Sequence, residues 1–151
     1  MATRNVVKKE DPILRKQSRV VTKFDERLWE LLDDMAETMR MAEGCGLAAV
    51  QVGILRRVCI VDAGDGLVEL INPKIVGQSG KQEECEGCLY CPNTWGVTSR
   101  PMSVIVEAYD RNGNKFRIKG EDLKARAFCH EIDHLDGVLF TQKVIRPYEG
   151  E

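Results

Sequence analysis

The sequence predicts an α+β domain in which antiparallel β-hairpins pack around a late helix, with one amphipathic helix earlier in the chain. Three observations predict it. Apolar residues keep a helical period from Asp25 to Ala42 and again from Asp122 to Leu135. Between these segments, short β-prone runs are separated by Asp65-Gly66 and by Arg111-Asn112-Gly113-Asn114, and Asn-Gly between such runs favours a tight hairpin. Strands that are joined by short turns and segregated from the helices give α+β rather than alternating α/β topology.

The chain has 151 residues, enough for one domain with a real core, and we expect a single domain over 1–151. Hydrophobic residues make up 43% and charged residues 30%, the balance of a water-soluble globular chain. With a net charge of −2 and with Lys and Arg scattered along the sequence, no direct binding to nucleic acid or to an anionic membrane is expected. The first ten residues lack the apolar run of a signal peptide, and no stretch approaches a membrane span, so the expected location is cytoplasmic. The six cysteines are accordingly expected as thiols.

In chain order, Asp11-Pro12 marks a turn within a charged first segment that is expected to wrap the rest. From Asp25 to Ala42, Leu28, Leu31, Leu32, Met35, Met39 and Ala42 form one apolar face, with acids early and Gly44 past the end. These methionines are read as core packing. The small-residue stretch Gly44-Cys45-Gly46-Leu47-Ala48-Ala49-Val50-Gln51-Val52-Gly53 lets backbone come close either to a ligand or to a sheet. It lacks the strand and third glycine of a dinucleotide fingerprint. Val58–Val61 and Leu67–Ile71 are expected strands, the second ended by Asn72-Pro73; Val104–Tyr109 and Lys115–Ile118 form the second hairpin. The late helix has its apolar face at Leu123, Ala127, Phe128, Ile132 and Leu135, and Asp136-Gly137 stops it. Pro147 argues against a further long helix.

That late helix carries His130-Glu131-Ile132-Asp133-His134, which holds the chain's two histidines. At roughly 100° per residue, positions i and i+4 lie about 40° apart, so both imidazoles leave one face and can share a metal ion. Glu131, set to one side, can reach a metal-bound water without ligating the metal. Two solvated histidines beside an acid are the bland alternative. A catalytic metal site usually takes three protein ligands, and a thiolate from Cys85-Glu86-Gly87-Cys88-Leu89-Tyr90-Cys91 is the best third. A redox dithiol competes, although Pro92 biases Cys91 away from helix. A structural zinc module using Cys85, Cys88, Cys91 and a histidine, with some binding role, also competes, provided a turn near Gly87 brings the cysteines together.

Three stretches together resemble the peptide deformylase family: Gly44-Cys45-Gly46-Leu47-Ala48-Ala49-Val50-Gln51, then Glu86-Gly87-Cys88-Leu89, then His130-Glu131-Ile132-Asp133-His134-Leu135-Asp136-Gly137. The resemblance implies that Cys88, His130 and His134 bind one divalent metal ion, Fe2+ first, with Zn2+, Ni2+ or Co2+ as substitutes. It implies Glu131 as general base and acid, and the Gln51 side chain and Leu89 backbone N–H as donors to the oxyanion. Hydrolysing an amide needs both an activated water and such donors. The implied substrates are N-formylmethionyl peptides or nascent chains, met through transient ribosome association, with formate released. Gly44, Cys45, Gly46 and Gly87 are expected to border the substrate, and Cys45, Leu123 and Ala127 to line an apolar pocket for its methionine. Two residues depart from the family pattern: Tyr90 stands where serine usually follows the second motif, and Val50 where proline is frequent. Many bacterial members continue into a long C-terminal helix, and docking attributed to that helix is not carried over to this chain. A metallopeptidase would share the histidine helix, but that class recruits a carboxylate or a third histidine.

Overall fold

The computed structural model describes residues 2–8, 11–88, 91–139 and 143–147. Helix α1 spans Glu26–Met41, its start fixed by Asp25, whose carboxylate accepts the Leu28 N–H at 3.3 Å. Its buried stripe is Leu28, Leu31, Leu32, Met35, Ala36 and Met39. The end is a Schellman arrangement: Glu43 N–H donates to the Arg40 carbonyl at 3.1 Å and Gly44 N–H to that of Met39 at 3.0 Å. The left-handed position falls on Glu43 (φ 56°) and not on the neighbouring glycine.

Five strands form the main sheet: β1 (Gly46–Ala48), β2 (Val58–Val61), β3 (Val68–Ser79), β6 (Ser103–Tyr109) and β7 (Lys115–Glu121). They lie in the order β1-β2-β3-β6-β7, every pair antiparallel. Alternation along the strands sorts residues to two faces. Leu47, Val58, Ile60 and Ile71 pack with the α1 stripe, whereas Ala48, Cys59, Val61, Leu70, Val104, Val106 and Ala108 pack with helix α2 (Leu123–Leu135). The sheet is therefore sandwiched between the helices, both of which lie within a residue of the expected bounds.

Strand β3 does not stop at Asn72-Pro73 as the sequence suggests. The ladder slips between Ile71 and Lys74, so the pair falls in a bulge where proline owes no hydrogen bond. Asn72 tolerates φ 52°, and its amide accepts from the Val21 N–H at 2.8 Å and donates to the Val21 carbonyl at 2.9 Å, pinning the first segment to the sheet. That segment does wrap the domain. Ala2 N–H reaches Asp34, Arg4 pairs with Asp34 on α1, and Val7 N–H donates to the Gln51 carbonyl.

A second sheet, of three strands, was not expected. Strands β4 (Gln82–Cys88) and β5 (Cys91–Arg100) are antiparallel neighbours, and β8 (Val144–Pro147) adds to β5. Polar, cysteine-rich β4 has no β-branched run, and its pairing partner supplies what propensity does not. The ladder sets Cys88 opposite Cys91 but Cys85 opposite Val97, roughly 10 Å along the strand at 3.3 Å per residue.

Candidate metal centre

Helix α2 is held at both ends. Asp122 N–H donates to the Met102 carbonyl, and the Asp122 carbonyl accepts from Gln82 Nε2 at 2.8 Å, which ties the helix start to β4. At its end, Gly137 N–H donates to the His134 carbonyl and Val138 N–H to that of Asp133, with Gly137 at φ 75°. A Cβ on Gly137 would stand 2.5 Å from the Arg15 carbonyl oxygen, so glycine is required there twice over. Between the two ends, Asp133 pairs with Arg100, a guanidinium only 5% exposed at the end of β5. This ion pair falls on the turn that separates the histidines. The sequence offered no sign of it, because the two residues meet only through the second sheet.

His130, Glu131 and His134 are all buried, at 6%, 5% and 0% exposure. This discards the reading of two solvated histidines. The two Nε2 atoms stand 3.2 Å apart. Tetrahedral ligands with metal–nitrogen bonds of about 2.05 Å would be separated by about 3.3 Å, so the spacing suits one shared cation. Candidate ligand atoms of all three side chains lie within 4.8 Å of one another, the one group of this kind among the described residues.

Strand β1 explains the small-residue stretch. A Cβ on Gly46 would fall 2.6 Å from Glu131 Oε2 and 2.9 Å from its Cγ, so the missing side chain is the space the carboxylate occupies. Beneath them lies Cys59, fully buried; burial pushes its thiol well above the ordinary range, the Glu131 charge pushes further, and Arg57 offsets part. Burial at Cys59 thus favours the neutral thiol. Neither the Gly46–Glu131 contact nor the place of Cys59 was predicted.

Gln51 lies on a 3-10 turn, Ala49–Val52, directly after β1 and packed on α2. It is 1% exposed, and its Oε1 accepts the Ala48 N–H at 2.9 Å, which turns the amide NH2 the opposite way. Gly44 ends the Schellman turn, and Cys45 beside it is exposed. On α2, Leu123 is 44% exposed and Ala127 buried. Gly87 and Cys88 are the last residues of β4, Gly87 opposite Trp95. Leu89 and Tyr90 lie outside the described residues.

Residues 3–149 match the family described as Polypeptide deformylase. The chain belongs to that family. It is 57% identical to the peptide deformylase of Caldicellulosiruptor bescii over 146 residues, covering 97% of this chain and 88% of the relative. With the Acetivibrio thermocellus peptide deformylase it shares 58% identity over 97% of this chain and 86% of that one. The fold is similar to the crystal structure of the Thermotoga maritima enzyme, with a TM-score of 0.93 and 37% identity, covering 95% of this chain and 99% of the other. The Synechococcus elongatus peptide deformylase in complex with actinonin gives 0.90 at 38% identity, covering 93% and 78%. Deformylases are metalloenzymes, and the chain is a hydrolase of this class, removing the formyl group from amino-terminal formylmethionine. Among the described residues, no helix is long and apolar enough to cross a membrane.

Proposed function

We propose that residues 1–151 act as one catalytic domain in which Cys88, His130 and His134 hold a single divalent cation, Fe2+ in the native protein. The observation that carries this is the pair of buried imidazole nitrogens 3.2 Å apart with Glu131 next to them. A thiolate and two imidazoles are compatible with iron and equally with zinc, nickel or cobalt. When bound, the cation acts as a Lewis acid toward water and the formyl carbonyl.

The protein's own groups do the rest. Glu131, fixed between Gly46 and the histidine face, takes the proton from the attacking water and returns it to the leaving amine. The Gln51 amide NH2 and the Leu89 backbone N–H donate to the formyl oxygen as it gains charge. Formate and a free amino terminus are the products. Gly44 and Gly87 let the peptide backbone approach, Gly46 borders it through its own backbone while leaving its side-chain space to Glu131, and Cys45, Leu123 and Ala127 receive the methionine side chain, whose flexible thioether suits an apolar pocket. The setting we propose is the cytosol, with transient association at the ribosome where formylated chains emerge.

Formate release from a formyl-Met peptide by anaerobically purified protein tests the activity. Metal analysis tests the ligands: Cys88→Ala is expected to lose the ion, while Cys85→Ala and Cys91→Ala keep it. Loss in all three would instead indicate a structural cysteine cluster.

A further inference from the structure

The backbone places two cysteines where a disulfide requires them. Past a register slip between Gly87 and Cys88, Cys88 and Cys91 face each other as the last partners of β4 and β5, with only Leu89 and Tyr90 between them in sequence. Directly opposed antiparallel residues have Cα atoms about 4.5–5.5 Å apart, and disulfides span about 4.4–6.8 Å. Among the described residues no other cysteine pair shares this register, since Cys85 faces Val97, Cys59 and Cys129 lie on β2 and α2, and Cys45 precedes β1.

We infer that Cys91 is a resolving cysteine for Cys88: under peroxide the two close into a disulfide that withdraws the metal-binding thiolate reversibly. This rests on the ligand assignment proposed above. In the first step the Cys88 thiolate attacks one oxygen of hydrogen peroxide, the O–O bond breaks, and the departing hydroxide is protonated to water, leaving a sulfenic acid. In the second, the Cys91 thiolate attacks that sulfur, the S–S bond forms, and the sulfenic oxygen leaves as a second water. Two thiols are oxidised and one peroxide is reduced, so the electrons balance. Without a partner thiol, a sulfenic acid goes on to sulfinic and sulfonic acids, which thiols do not reverse. A disulfide across adjacent strands that closes so short a loop stays open to exchange with small thiols. Cys91 thus turns loss of a ligand into a recoverable event.

The test uses the zinc-loaded protein, in which only sulfur can be oxidised. Zinc release under hydrogen peroxide is followed with a chromophoric chelator. Cleavage after Glu86 separates Cys85 from the peptide that holds Cys88 and Cys91, and its mass reports the link. For the wild type we expect zinc release, a peptide lighter by two hydrogens, and recovery of both by dithiothreitol with added zinc. Cys91→Ser is expected to release zinc but to carry sulfinic or sulfonic Cys88 and not recover; Cys85→Ser is expected to behave as wild type. Over-oxidised Cys88 in the wild type with no link, or recovery lost in Cys85→Ser, overturns the inference. A link that forms while zinc stays bound overturns the ligand assignment instead. A Cys88→Ala protein that fails to bind zinc, beside a wild type that never links, overturns the link alone.

Discussion

Gly46→Ala isolates the positioning of Glu131 from the chemistry that Glu131 performs. Gly46 has no left-handed φ, so alanine is acceptable to the backbone and the substitution acts through its methyl alone. That methyl would stand 2.6 Å from Oε2, 2.9 Å from Cγ and 3.0 Å from Cδ of Glu131. Ordinary contact begins near 3.4 Å, so Oε2 must retreat by roughly 0.8 Å and Cγ and Cδ by roughly 0.4–0.5 Å, which moves the side chain and not only its tip. Glu131 is 5% exposed and has little room to do so. Overpacking of this kind costs about 1–3 kcal/mol, a fall in Tm of about 2–4 °C per kcal/mol for a chain of this size. A catalytic group displaced by about 1 Å loses on the order of 10²-fold in rate. We therefore expect Gly46→Ala to keep its metal, because the imidazoles are untouched, while kcat for a formyl-Met peptide falls 10- to 100-fold, in line with that displacement. In a Glu131→Gln background the same substitution should cost the residual rate far less, since the displaced group no longer carries the proton. Steady-state kinetics on the four proteins, with metal content and thermal unfolding, decide it. Equal losses in both backgrounds, or metal loss in place of rate loss, would refute the reasoning.

The other expectations are simpler. Glu131→Gln should bind metal normally and lose about 10²- to 10⁴-fold in kcat; near-normal turnover would remove Glu131 as the base. Ala127→Leu should crowd the methionine pocket, raising KM for formyl-Met peptides more than for formyl-Ala peptides by roughly 10- to 200-fold at most; an equal shift for both substrates would put the pocket on the wrong face of α2. Glu43→Gly should stabilise the protein by about 0.5–1 kcal/mol, because the left-handed position closing α1 then costs nothing sterically and the larger entropy of glycine in the unfolded chain offsets only part. Denaturant midpoints check this, and an unchanged or lower midpoint counts against strain at Glu43.

Where local pattern carries the information, the sequence was enough. The apolar stripes of α1 and α2 have the right period and capping residues, and Asn112-Gly113 and Asp65-Gly66 do join antiparallel neighbours. It misled at Asn72-Pro73, where proline reads as a stop but is accommodated in a bulge because Asn72 takes a left-handed conformation and bonds to Val21. It was silent on β4 and β5. Their residues are polar and cysteine-rich, and what makes them strands is each other and β8, contributed from the far end of the chain.

The candidate site divides along the same line. His130, Glu131 and His134 are legible because one helical turn fixes their relation, and nothing outside α2 is needed to bring the imidazoles together. What gives that turn its chemistry is non-local. Gly46 reaches Glu131 only because β1 pairs with β2 and both pack under α2, and Arg100 reaches Asp133 only because β5 runs beside the helix. A glycine reads as conformational freedom in sequence, yet Gly46 serves by leaving space, and sequence spacing cannot reveal whose atoms fill it. Gln51 shows the intermediate case. As the one polar side chain in a small-residue stretch it was conspicuous, but the hydrogen bond from Ala48 that turns its NH2 away appears only once the 3-10 turn is in place. Motifs in this chain thus identify the atoms that react, while the contacts that aim those atoms are made by residues which, read singly, look structural.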